Sequence, residues 1–115
     1  MRANKPGLKL EGAALVALLA MYMPARPSVA ADLEAGRAKA VQCAVCHGAN
    51  GIATLPDAPN LAGQNEIYLV KALHDFKSGA RKNEMMSMMV AGLSDADIEN
   101  LAAYYQSIEI SVKPQ

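Results

Sequence analysis

Cys43-Ala44-Val45-Cys46-His47 is the stretch whose reading decides the fold. In a C-x-x-C-H run, one helical turn puts two thiols on the same side of the backbone and a histidine follows at once, the arrangement by which a chain attaches a c-type haem. Each thiol adds to one vinyl group of the porphyrin. The imidazole of His47 is then held beneath the iron as the proximal axial ligand. Other chemistries share part of the pattern. A redox dithiol of the thioredoxin kind normally stands on a βαβ framework, and no stretch here alternates long enough to make a strand. A structural zinc site needs four ligands, and His74 is the one further obvious nitrogen donor. A disulfide between Cys43 and Cys46 would close a loop too short to constrain the unfolded chain much, and it leaves His47 unexplained.

Upstream, Arg2, Lys5 and Lys9 form a positive region before the short apolar run Gly12 to Met23, which is too short to span a membrane comfortably. Pro24 and Pro27 break any helix there, and Ser28-Val29-Ala30-Ala31 offers small residues suited to signal peptidase. The expectation is a signal peptide over residues 1–31, cut after Ala30 or Ala31, with the periplasm as destination. An uncleaved anchor is the alternative, because Glu11 beside the apolar run is unusual for either role. Export agrees with the cysteine chemistry, since haem is joined to thiols outside the cytoplasmic membrane.

A chain starting at Asp32 has 84 residues, enough for one modest core that is marginally stable without a staple. A covalently held haem, apolar across most of its face, supplies that staple. The formal charge of zero changes on cleavage, because Arg2, Lys5, Lys9 and Arg26 leave against Glu11, giving a formal −3. That balance argues against nucleic acid, and against docking on acidic membranes by bulk charge.

From Asp32 the sequence is rich in helix formers with acids in the first turn, which predicts a helix to about Val45. Gly36 falls inside it, where glycine costs about 1 kcal/mol relative to alanine, so a close helix crossing is expected there. The glycines and prolines from Gly48 to Gly63 predict an irregular loop. The carbonyl of Pro59 in that loop could accept the Nδ1 proton of His47 and raise the basicity of the imidazole; otherwise Pro59 only stiffens the turn. Asn65 to Lys77 predicts a second helix, capped by Asn65, closed by Gly79, with Leu69, Ala72, Leu73 and Phe76 on one stripe. His74 beside that stripe reads as a surface histidine. Lys71, Lys77, Arg81 and Lys82 read as a cationic helix end or as a docking patch. Ser94-Asp95-Ala96-Asp97 starts a third main helix with a capping box that uses Asp in place of Glu, running to about Ile108. Residues 109–115 are expected to form a flexible tail.

Met85, Met86, Met88 and Met89 are the only methionines after position 31. Methionine commonly ligates the iron of a c-type haem through its thioether, so one of the four is expected to do so while the others fill core. With both axial positions taken, the iron would carry electrons rather than bind oxygen.

Taken together, the chain resembles the class I cytochromes c, and within them the single-haem c553-like proteins and one domain of cytochrome c4. The resemblance is carried by Gly36, Cys43 to Gly48, Pro59-Asn60-Leu61-Ala62-Gly63-Gln64, Tyr68-Leu69, Leu93-Ser94-Asp95 and Ala102-Ala103-Tyr104-Tyr105. It implies an all-α class I cytochrome c fold over 32–108, with three main helices and a short distal helix around one haem c. It also implies a distal methionine seven residues before the leucine of the Leu-Ser-Asp cap, which is Met86, with Met85 the alternative one residue away. The first helix should cross the last with Gly36 against Tyr104. The single motif implies one haem, and no function that needs two in one chain. The implied function is a periplasmic one-electron carrier, not an enzyme, exchanging electrons with a donor dehydrogenase or reductase and an acceptor oxidase or reaction centre. The alternatives are the cytochrome subunit of a periplasmic dehydrogenase, such as a sulfide-oxidising flavoprotein, and a C-x-x-C thiol–disulfide oxidoreductase. No stable membrane insertion is expected after signal cleavage.

Overall fold

The structure, a computed structural model, describes residues 1–3, 7 and 29–115. The expected signal peptide and its apolar run fall almost wholly outside them. The described residues form five helices and no strand: α1 Leu33–Ala40, α2 Ala44–His47, α3 Glu66–Ser78, α4 Glu84–Val90 and α5 Asp95–Ser107. No helix among them is long and apolar enough to cross a membrane.

Each long helix begins where a short polar side chain satisfies backbone N–H groups that would otherwise lack partners. Asp32 accepts from Glu34 and Ala35, Asn65 from Tyr68, and Asn83 from Met86. At Ser94 the capping box is complete, its side chain accepting from the Asp97 N–H while the Asp97 carboxylate accepts from the Ser94 N–H. Gly79, at φ 81°, closes α3 in the left-handed conformation.

The first helix ends earlier than its composition predicts. It stops at Ala40, and the Cys43 N–H bonds the Ala40 carbonyl three residues back, a tighter turn than the α-helical ladder. A separate turn, α2, then carries Ala44 to His47. Val41 to Cys43 contain neither Gly nor Pro, so no local stop signal marks the break.

α5 is the central element. Ile98, Leu101 and Ala102 on it are at most 1% exposed. Burial of a side chain the size of Ile98 or Leu101 stabilises the fold by about 1.5–3 kcal/mol. α1 and α3 both pack on α5, and α4 packs on α3. The crossing of α1 and α5 needs Gly36, which is buried with no room for a side chain. Polar ties fix the remaining joints: the Gly63 N–H donates to the Tyr105 carbonyl at 2.8 Å, the Glu66 N–H to Gln106 Oε1 at 2.7 Å, and the Ser87 hydroxyl to the Phe76 carbonyl at 3.3 Å. Beyond α5 the chain has no regular structure, yet the Ile110 side chain rests beside Gly63.

Candidate functional site

Between α2, the loop after it, α3, α4 and α5 lies a cavity of about 650 Å³. Cys43, Cys46 and His47 line one side of it, Met86 lines it from α4, and Leu69, Leu101 and Tyr105 belong to its apolar walls. The residues singled out in the sequence on α2 and α4 are therefore brought to one place.

His47 is buried, 7% exposed, as the last residue of α2. Its Nδ1 lies 2.8 Å from the Pro59 carbonyl oxygen. A carbonyl only accepts, so Nδ1 carries the proton and Nε2 keeps its lone pair for a metal. The loop that delivers Pro59 is held by its own bonds. The Ala53 N–H donates to Asn60 Oδ1 at 2.7 Å, and the Gly51 carbonyl accepts from Leu61 and Ala62. Its other end is tied to the motif, where the Thr54 N–H donates to the Cys46 carbonyl.

Cys43 and Cys46 are half-buried and not bridged to each other. Burial pushes the Cys43 thiol up, an interaction with Tyr105 opposes this, and the neighbouring Cys46 adds to the rise. Among the methionines, Met85, Met86 and Met89 line the cavity. Met85 and Met88 are exposed, whereas Met86 is half-buried and packs on the core cluster. His74 is half-buried on α3 and is not among the residues that line the cavity. No group of three His, Cys, Asp or Glu side chains gathers as a metal cage among the described residues.

The cationic cluster is largely engaged with its own chain. Lys71 pairs with Asp75, Lys77 donates to the Leu93 carbonyl, and the Arg81 guanidinium lies 4.5 Å from the centre of the Phe76 ring. Lys77 and Arg81 thereby secure the end of α3, while the Lys71 pair lies within the helix. One feature of the site had no signal in the sequence. Tyr105, which reads there as one more apolar residue on the α5 stripe, has a buried hydroxyl with no hydrogen-bond partner among the described residues.

The residues fit a covalently held haem. Two unbridged thiols and a buried histidine with one ring nitrogen committed elsewhere share an apolar cavity, and the Tyr105 hydroxyl in its wall has the Cys43 sulfur as a polar neighbour.

Residues 33–109 match the Cytochrome c family. The chain is 43% identical over 95 residues to cytochrome c4 of Pseudomonas aeruginosa, covering 83% of this chain and 47% of that protein. It is 42% identical over 83 residues to cytochrome c-554(548) of Halomonas halodenitrificans, covering 70% of this chain and all of the relative. A "thiosulfate dehydrogenase electron acceptor" of Thiomonas intermedia is 45% identical over 78 residues, covering 66% of this chain and 36% of that one. The crystal structure of reduced recombinant cytochrome c4 from Pseudomonas stutzeri superimposes with a TM-score of 0.67 at 43% identity, over 72% of this chain and 48% of the other. The chain spans about half the length of the cytochrome c4 relatives it matches. Fold, site and relatives agree, and the chain belongs to the cytochrome c family, as a class I c-type cytochrome domain related to that of cytochrome c4, a domain that carries covalently bound haem c.

Proposed function

We propose that the protein is a periplasmic one-electron carrier in which Cys43 and Cys46 would hold the haem through thioethers and His47 and Met86 would ligate its iron. The observation that carries this reading is the convergence of Cys43, Cys46, His47 and Met86 on one cavity, with Nδ1 of His47 already spent on Pro59. When bound, the haem supplies a ferric/ferrous couple that takes up and releases one electron.

The chain's own residues do the rest. The Pro59 carbonyl fixes the plane of the imidazole and makes His47 a better donor. Leu69, Phe76, Leu101 and Ala102 keep water from the cavity wall. A soft thioether from Met86 together with an apolar surround favours the ferrous form. Val45 and Leu55, both exposed and both on the cavity lining, give the attachment side an apolar rim against which a redox partner would close. In this reading residues 1–31 serve export and are removed, 32–108 are the working domain and 109–115 a tail.

The test is production of the chain in a host that attaches haem in the periplasm. The expected product is red, loses its first 30 or 31 residues by mass, keeps its haem on denaturation and shows a reversible reduced-minus-oxidised spectrum. A well-folded, colourless protein overturns the reading.

A second reading, the electron-accepting subunit of a periplasmic dehydrogenase, is favoured by the likeness to the Thiomonas intermedia electron acceptor. Stable co-purification with a dehydrogenase subunit at high salt would select it over a freely diffusing carrier.

A further inference from the structure

Tyr105 is 4% exposed on the inner face of α5, and it shares the cavity lining with Cys43. Cys43 in turn packs against the core cluster to which Tyr105 belongs. A hydroxyl buried without a partner is destabilising, and phenylalanine would fill nearly the same space without that cost. The polar neighbour of the Tyr105 hydroxyl in the cavity wall is the Cys43 sulfur, which already interacts with the phenol although the hydroxyl has no partner in hydrogen-bond geometry. Burial first, then the nearby Cys43 sulfur, push the ionisation of the phenol far up, so it remains a proton donor at any working pH.

The chemistry of attachment leaves that sulfur an acceptor only. In thioether formation the Cys43 sulfur bonds to one vinyl carbon and the thiol hydrogen goes to the other, with nothing oxidised or reduced. The sulfur loses its own S–H and is left with lone pairs only.

We infer that the Tyr105 hydroxyl donates a hydrogen bond to the Cys43 sulfur once that sulfur is a thioether, which makes Tyr105 a positioning residue for the attached edge of the haem. A donor on this sulfur draws electron density from the ring edge and favours the ferrous iron. The inference rests on the proposed attachment at Cys43.

The test compares Tyr105→Phe with Tyr104→Phe in the haem-loaded protein. Tyr104, whose ring centre is 5.2 Å from that of Tyr105, controls for loss of a neighbouring phenol. The midpoint potential falls in Tyr105→Phe and stays at the wild-type value in Tyr104→Phe. An unchanged potential in Tyr105→Phe overturns the inference. Should that variant fail to fold, NMR of the ferrous wild-type protein decides: a slowly exchanging Tyr105 hydroxyl proton with a cross-peak to the Cys43 β-protons supports the bond, and a hydroxyl in rapid exchange with water refutes it. Mass analysis of the peptide spanning 43–47 separates the two levels. No haem on that peptide removes the attachment reading itself, whereas haem present with an unchanged potential removes only the role of Tyr105.

Discussion

Gly36 on α1 lies against the backbone of Asn100 on α5 so closely that a β-carbon at position 36 would stand 2.1 Å from the Asn100 carbonyl oxygen and 2.9 Å from the Tyr104 β-carbon. The same Asn100 accepts the Asp32 N–H through Oδ1 at 2.8 Å. One residue of α5 thus seats the start of α1 by its side chain and the middle of α1 by its backbone. α1 leads directly into the Cys43 turn, so this crossing sets where the thiols stand.

Gly36→Ala should separate the two helices and destabilise the fold by about 1–3 kcal/mol, the usual cost of overpacking a tight contact. For a domain of this size that lowers Tm by roughly 4–8 °C per kcal/mol. Asn100→Ala removes one exposed hydrogen bond and should cost less, about 0.5–1.5 kcal/mol. Thermal unfolding followed by circular dichroism ranks the two. A Gly36→Ala variant as stable as wild type would mean that the crossing tolerates a wider spacing.

Gly48 follows His47 at φ 79°, ψ 151°, a backbone region open almost only to glycine. A β-carbon there would also fall 1.7 Å from the Ile52 carbonyl oxygen. Gly48→Ala should force the loop off the motif and carry the Pro59 carbonyl away from His47. Backbone strain alone costs on the order of 1–3 kcal/mol, and the clash adds to it. The expected result is a sharp loss of haem-bearing protein per polypeptide in the periplasmic fraction. An Ala variant that matures normally would show that the loop can reseat.

Much of this was legible in the residues. The C-x-x-C-H turn, the caps at Asn65 and Ser94, and Gly79 beyond α3 are local signals, complete within a few positions, and the structure places helix ends at each. What escaped depends on partners far along the chain. The stop of α1 at Ala40 has no local mark, because Val41 and Gln42 are acceptable in a helix, and there the Cys43 N–H bonds the Ala40 carbonyl in place of the helical ladder. The hydroxyl of Tyr105 could not be singled out either. Period alone puts Leu101 and Tyr105 on the same buried stripe, and whether a phenol finds an acceptor is decided by α2 and the cavity. The contact of Ile110 with Gly63, in a tail with no pattern, is of the same kind.

The capping box gives a pH dependence. The Ser94 N–H first, then the Ser94 hydroxyl and Lys39, whose Nζ lies 3.2 Å away, hold the Asp97 carboxyl below the usual carboxylate range. A group with a lowered folded-state pKa contributes stability above its unfolded value, about 3.9, and loses it as the pH falls through the folded value. Asp97→Asn should therefore lower Tm at neutral pH, and the gap to wild type should begin to narrow below about pH 4. Melting curves from pH 7 to pH 3 follow it. A gap that stays constant over that range would assign the loss to helix packing and not to the charged cap.

Met86 and Met85 are neighbours on α4 with different surroundings, and this difference separates the two candidate ligands. Met86 is half-buried against the core cluster, and its N–H is fixed by Asn83 Oδ1 at 2.9 Å, whereas Met85 is 55% exposed. A ligand held by packing and a cap loses little further freedom when it binds iron; an exposed side chain has to be ordered first. Met86→Ala should thus keep both thioethers yet leave the ferrous protein able to bind carbon monoxide and the ferric protein able to bind cyanide. Met85→Ala should do neither, and its potential should stay close to wild type. Absorption spectra with and without each ligand decide the matter. If Met85→Ala opens the iron and Met86→Ala does not, the distal ligand is Met85, which lines the same cavity from α4.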